Sequence, residues 1–539
     1  MKTSAVLMNA VLSLLLAAAT HAANAQSKPA VEPKRGGTLT YSFHPEPTAL
    51  STIATSAVPV AIISTKIFES LLEYEGPGLT PKPGLALAWS IDENKRIYTF
   101  KLRPGVKWHD GAPFTSADVK FSIEKIVRPL HSRGKVYFGN VAIIETPDPL
   151  TVVFKLTEPV PFFLKTFQPG EAPIMPKHIL EKLDLDDART VRSSEFMQKP
   201  VGTGPFRFKE WRKGSHITLE RFPDYWKKGR PYLDQVVLRV IPDGAARSIA
   251  LENGEVDLAP MSAVPQADIQ RLAGLRNLTL SDQGAEGLGP MLWLEVNLRD
   301  KHLGDARVRQ AISMALDRKK IVDIIWFGQG KPATGPLVSA NPLYNKALKP
   351  FVYDPKRAEK LLEDAGFKRG AGNMRFKLQQ NFLPYGESWV RLAEYVKQEL
   401  GKIGIEVETQ SIDLGGWLKK IYTDWDYGIT SNFTHNYSDP SIGTQRSFVS
   451  STIAKGATFT NSMNYRNPKI DELYRKALTE TDPAKRRRMF DEIQVILHEE
   501  LPVIFLVEIA YSHLWNKRVQ GLITNGISMY SSWDGVWKE

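Results

Sequence analysis

The chain contains no cysteine, which excludes a disulfide framework, a thiolate nucleophile, a cysteine zinc site and a lipid-modified N-terminal cysteine. Long apolar runs are nearly absent too. Past the run Ala5 to Ala19, nothing reaches the roughly 18 apolar residues of a membrane span. Enzyme signatures are missing: HEELP at His498 to Pro502 lacks the second histidine of a metalloprotease helix, VGTGPF is followed by no Lys-Ser/Thr, and no GxSxG elbow occurs. The ten histidines are scattered, so no metal and no cofactor is called for. Facing carboxylates carry no spacing signature, and acid-base chemistry by such a pair stays open. The formal charge of +11 is nowhere concentrated with interleaved aromatics, which argues against nucleic acid as a partner.

What is present begins with MKTSAVLMNAVLSLLLAAATHAANAQ. Lys2, the apolar run and the small residues Ala23 and Ala25 make residues 1–25 a cleavable secretory signal. Removing it takes away Lys2 and leaves a charge of +10, a balance that suits a soluble surface. With 42% hydrophobic residues in 539, the chain is long enough to divide into more than one core.

Strand and helix patterns alternate. In GGTLTYSF, Leu39, Tyr41 and Phe43 take every second position, the period of a half-buried strand. Pro45 and Pro47 then break the pairing and leave Phe43 and His44 at a strand end. Residues 85–127 read as strand, hairpin, strand and helix, with Thr115 and Asp118 spaced as a capping box before Val119, Ser122 and Ile123. Asp305 caps a helix carrying Val308, Ile312, Ala315 and Leu316 on one face. Asp354 and Pro355 open another, with Leu361, Leu362 and Ala365 inward and Gly366 as its stop. A third starts at Asp482 and Pro483 with the stripe Met489, Ile493 and Ile496, which makes KRRR, Lys485 to Arg488, a solvated helix face. VIFLV, Val503 to Val507, is apolar throughout, as for a strand covered on both faces.

Five stretches then fall into a familiar order: LALAWSIDENKRIYTFKLRPGVKWHDGAPFTSADVKFSI, VGTGPFRF, DARVRQAISMALDRKKIVDIIWFGQGKPATGPL, YDPKRAEKLLEDAG, and the DP step at Asp439 and Pro440. In these the chain resembles the extracellular solute-binding proteins of family 5, the receptors of peptide, opine and nickel ABC importers. The resemblance implies an α/β, two-lobe periplasmic-binding-protein (Venus-flytrap) fold with an extra subdomain inserted in the first lobe. It divides the chain into lobe I at 34–75, 200–289 and 508–539, the insert at 76–199, and lobe II at 290–507. The implied function is that of a monomeric periplasmic receptor. It captures a peptide or peptide-like solute between two closing lobes and passes it to an ABC permease in the inner membrane, without being an enzyme. A non-peptide cargo (an opine, sugar conjugate, small acid or metal chelate) and an exported hydrolase are the alternatives.

Peptide-binding members carry, four residues before the proline of the acidic-Pro step, an aspartate that holds the peptide's ammonium. Counting back from Pro440 gives Asn436, which offers an acceptor and donors but no charge. The expectation is a ligand whose matching group is neutral, blocked or an acceptor, with Asp439 as the residue that supplies a charge if the loop is shifted. Trp417 and Tyr385 stand where the family places cleft aromatics, Phe433 is an aromatic at a strand end that can wall the cleft or pack in a core, Phe43 and His44 end the first strand, and Trp389 reads as core. Arg446, Arg391 and Arg247 are candidates for pairing with a solute carboxylate. Aromatic burial with a few polar contacts gives a dissociation constant on the order of micromolar, about 8 kcal/mol.

Overall fold

A computed structural model describes residues 32–437 and 439–539; the expected secretory signal lies outside them. The alternation in GGTLTYSF builds the strand Thr38–Ser42, with Leu39 and Tyr41 wholly buried. It is the middle strand of a seven-stranded sheet ordered Leu278–Ser281, His513–Asn516, Leu258–Ala259, Thr38–Ser42, Gln235–Arg239, His216–Arg221 and Phe206–Arg212. Thr38–Ser42 pairs in parallel with both of its neighbours, which requires long crossovers between them. Asp257 secures the join. Its carboxylate accepts from the Thr40 N–H at 2.9 Å and pairs with Arg518 at 2.6 Å and Lys538 at 2.9 Å, tying the first strand to the chain's last residues.

A second sheet of six strands runs Gly330–Pro332, Val503–Ile509, Pro290–Val296, Ile429–His435, Phe376–Phe382 and Ile405–Gln410. Val503 to Val507 are wholly buried, as the unbroken apolar run requires of a strand covered on both faces, and Pro290–Val296 is buried along its whole length, Glu295 included. The third sheet, Ala86–Ile91, Ile97–Leu102, Thr151–Leu156 and Val141–Asp148, is antiparallel throughout. Beside it the helix Ser116–Phe121 opens where Asp118 accepts from the Thr115 N–H at 2.9 Å, and Val119, Ser122 and Ile123 are buried as their spacing requires.

The expected caps are in place, whereas two buried stripes are rotated. Asp305, Asp354 and Asp482 each accept from backbone N–H groups of the helices Ala306–Ala315, Pro355–Asp364 and Pro483–Glu500. In Pro355–Asp364 the buried positions are Ala358 and Leu362, with Leu361 only half-buried. In Pro483–Glu500 they are Arg486, Phe490, Ile493, Gln494 and Leu497: Ile493 is buried as expected, whereas Met489 and Ile496 are half-buried and their neighbours Phe490 and Leu497 take the inner positions. The KRRR cluster is therefore not wholly solvated. Arg486 lies within the protein because Asp439 offers it a bidentate partner at 2.7 and 2.8 Å, which meets the requirement that a buried guanidinium be paired.

The apolar residues form two cores. One gathers residues between Leu39 and Leu288 with the segment from Leu514 to Val536; the other gathers residues from Met291 to Val507. Ala57 and Val60 pack into the second core, Tyr437 and Ile442 into the first, and Tyr385 and Phe433 against both. At the crossing between cores Gly289 has φ +54°. A Cβ there would lie 2.9 Å from Val338 Cγ2 and 3.3 Å from Asn436 Cβ. Gly105 also has positive φ, +74°, but open space around it. Gly105→Ala should lower stability only by the backbone term, about 1–2 kcal/mol, and Gly289→Ala by visibly more. Urea unfolding of the two variants side by side measures the difference.

Candidate functional site

A cavity of about 510 Å³ opens along the seam between the two cores, within the usual range for a small-molecule site. Phe43 and His44 enter it from the end of the first strand, where the proline-broken loop leaves them. Pro242 to Ala245, Arg247 and Met261 to Asp268 line one wall, and Tyr385 to Trp389 with Phe433 line the other. The aromatic rings are in mutual contact: Phe43 meets Tyr385 edge-on at 6.2 Å, Tyr385 meets Phe433 at 6.0 Å, and Trp389 meets Phe433 at 5.9 Å between centroids. Such pairs hold one another's orientation and leave apolar faces for a ligand. His44 is pushed down to about 4 by burial and by the neighbouring Arg247 guanidinium, so its imidazole is neutral at ordinary pH.

Four of the expected site residues, Phe43, His44, Tyr385 and Phe433, thus meet around one space, and Trp389, read as core, both lines it and belongs to the second core. The other three are occupied elsewhere. Asn436 is wholly buried; its Oδ1 accepts from the Val338 N–H at 2.5 Å, its Nδ2 donates to the Pro336 carbonyl at 3.1 Å, and its own N–H donates to Gly289. The amide fastens the crossing at Gly289 to the 336–338 loop. Asp439 accepts from the Ser441 N–H and from Arg486, so its charge is already matched. Trp417 is wholly buried against Tyr422 and Phe459, donating to Thr430 Oγ1 at 3.0 Å. Among the arginines, Arg391 is exposed and paired with Glu387, and Arg247 donates to the carbonyls of Ile241, Pro242 and Ala263.

Beyond Phe433 the ring contacts continue to His435, at 5.4 Å, and from there to Tyr511 and Tyr437. Here the seam turns polar. Glu171 accepts from Arg133 Nη1 at 2.8 and 3.0 Å, from the Tyr137 hydroxyl at 2.7 Å and from the Tyr437 hydroxyl at 2.6 Å. Burial raises this carboxyl, but Arg133 and the hydroxyls outweigh it and bring it to about 2. Arg446 reaches across to Ser132 and Ser56. The sequence reading passed over Glu171, Arg133, His131 and Tyr437. Their one local signal is a charged residue inside a proline- and glycine-broken stretch, PGEAP and HSRG, which a solvent loop shares.

Among the described residues no group of three or more His, Cys, Asp or Glu side chains is placed to hold a metal ion, and no helix is long and apolar enough to cross a membrane. Residues 80–456 match the family model described as bacterial extracellular solute-binding proteins, family 5 Middle. The chain belongs to this family. Family 5 relatives include the oligopeptide-binding protein AppA of Bacillus subtilis strain 168, 31% identical with 92% of this chain and 91% of that protein covered. The solved structure of AppA with a nonapeptide superposes with a TM-score of 0.84 at 27% identity, covering 94% of this chain and all of that one. The dipeptide-binding protein of Escherichia coli K12 is 26% identical over 96% of each chain. The periplasmic binding protein AgaA with agropinic acid, from A. tumefaciens R10, gives a TM-score of 0.81 at 27% identity, with 93% and 99% covered. The architecture is accordingly the two-lobe family 5 fold, with an extra subdomain inserted in the first lobe.

Two outcomes follow from the geometry. Asn436→Asp sets a carboxylate oxygen against the Pro336 carbonyl where an N–H now donates, and should cost about 1–3 kcal/mol of stability, read by urea unfolding. His131 and His435 are each pushed down to about 3, first by burial and then by the net effect of the arginines around them. Between the ordinary value of 6.5 and about 3 the unfolded chain binds protons that the folded chain refuses, so stability rises with pH across that window and falls on acidification. Glu171 adds a further loss between 4.5 and about 2. Urea midpoints measured from about pH 7 down to about pH 4 should decline, and His131→Gln should make the decline shallower.

Proposed function

We propose that the chain is the periplasmic solute receptor of an ABC importer, enclosing a peptide or peptide-like solute between its lobes and releasing it unaltered to the membrane permease. The observation that carries this reading is the seam cavity, whose aromatic walls come from both cores, with Tyr385 and Phe433 packed against each. A solute there touches both lobes only when they are shut, and that difference in contact drives closure. The lobes divide at Gly289 and near Val507, with 34–75, 200–289 and 508–539 in the first, 76–199 as its insert and 290–507 in the second. The two crossings then act as a hinge. The named relatives bind peptides and, in AgaA, agropinic acid, which supports a peptide or a conjugate of similar size as cargo. The N-terminal pattern of residues 1–25 supports export to the periplasm.

In this reading Phe43, Tyr385 and Phe433 supply most of the contact area, His44 a neutral ring, and no residue makes or breaks a bond. The solute is recovered by denaturing the protein as purified from a periplasmic extract. Refolded protein titrated with it should compact in small-angle scattering, and the solute should come back with its mass unchanged after prolonged incubation. A scattering profile that does not move, or a solute that is cleaved, overturns the assignment. Phe433→Ala should weaken binding by roughly 30-fold or more, the cost of truncating a central aromatic anchor.

A further inference from the structure

A single bond between side chains spans the seam cavity from wall to wall, and its role is argued on the receptor reading above. Ser388 Oγ donates to Gln266 Oε1 at 2.7 Å. Both residues line the cavity, Gln266 on the wall of Met261 to Asp268 and Ser388 on the wall of Tyr385 to Trp389. Among the described residues no other hydrogen bond joins side chains of these two walls. The chain neighbours Ala267 and Glu387 are exposed, which puts the pair at the cavity's rim.

Both ends are anchored. Gln266 opens the turn Gln266–Asp268 directly after Pro265, and the helix Ile269–Ala273 that follows sends Ile269 and Leu272 into the first core. Ser388 stands in the first turn of the helix Glu387–Lys402, which sends Trp389, Leu392, Ala393 and Val396 into the second. Whether the bond forms is therefore set by the relative placement of the two cores. Neither the Ser388 hydroxyl nor Gln266 Oε1 has a second partner among the described residues, so nothing else holds them once the walls part.

The contact differs in kind from the rings around it. Phe43, Tyr385, Trp389 and Phe433 present faces whose contribution varies with the shape of what fills the space. The Ser388–Gln266 bond is made within the protein and involves no atom of a solute. On opening, hydroxyl and amide pass to water, so what remains is the net contribution of one neutral hydrogen bond, roughly a 2- to 10-fold bias toward the shut form. That is too weak to oppose release and enough to shift a near-balanced equilibrium.

We infer that Ser388 and Gln266 are a solute-independent latch, a pair of positioning residues that set the balance between the open and shut forms before any cargo arrives. A solute that binds the shut form has its apparent affinity scaled by the fraction of the protein that is shut, whatever its own contacts. The latch thus tunes how tightly the receptor holds its cargo, and selection between solutes is left to the cavity walls.

The test uses the absence of cysteine from the chain. Ile249→Cys and Val390→Cys place the only two thiols at exposed positions of the helices Gly244–Glu252 and Glu387–Lys402, one behind each wall. Spin labels on them report the distance between the walls in protein stripped of solute by unfolding and refolding. A short and a long distance are expected. Ser388→Ala and Gln266→Ala should each lower the short-to-long ratio roughly 2- to 10-fold, and the double variant should lower it no further than either alone. Ser388→Thr, which keeps the hydroxyl, should keep the ratio of the parent protein. If an alanine variant does not fold, Gln266→Leu, which retains the bulk of the side chain, carries the comparison. Unchanged ratios, additive losses in the double variant, or a single distance that no substitution moves overturns the inference. Walls that close on the solute recovered from a periplasmic extract to the same extent and with the same affinity in every variant remove the latch and leave the receptor reading standing.

Discussion

A carboxylate withdrawn from water has to be met by donors, and at Glu171 those donors come from two parts of the fold. Arg133 and Tyr137 approach from the segment 131–138, Tyr437 from the loop that ends the strand Ile429–His435. A buried ion pair contributes little net stability, because desolvation offsets most of the attraction, but removing either partner is expensive. What such a pair supplies is geometry. It fixes the segment 131–138 against the end of the second sheet, and it places Ser132 within reach of Arg446 and His131 beside it. The rest of the polar end of the seam depends on that placement.

The seam therefore has two chemically distinct ends. The aromatic end offers rings whose orientations are set by their neighbours and whose exposed faces are indifferent to the identity of an apolar group. The polar end offers donors whose acceptors are missing. Dispersion and area give contact at the first end, whereas at the second a mismatch in charge is penalised in a region of low dielectric.

The first strand, the capped helices and the doubly covered strand Val503–Ile509 were legible in the sequence because each is encoded locally, in periodicity or in a capping residue. Phe43 and His44 were legible for a related reason: a proline-broken loop after a strand leaves its last side chains at an edge, whereas Tyr385 was reached only through the resemblance and Trp389 was read as core. The rotation of the stripe in Pro483–Glu500 was not, since it depends on Asp439 drawing Arg486 inward from a distant segment. The partners of Asn436 were hidden on the same ground. Pro336 and Val338 lie about a hundred residues away, and nothing in NYSDP discloses that its amide is taken. The Glu171 junction joins positions 133, 171 and 437, and three separated segments leave no pattern in any one of them.

The strand His513–Asn516 lies between Leu258–Ala259 and Leu278–Ser281, and Asp257 pairs with Lys538. That sheet is thus closed by segments far apart in sequence, because one of its interior strands and the counter-charge of a buried aspartate come from residues 513–538. Contacts this remote in sequence are slow to form. Without residues 513–538 the first sheet is left with open strand edges, so order in that half of the molecule waits on those residues.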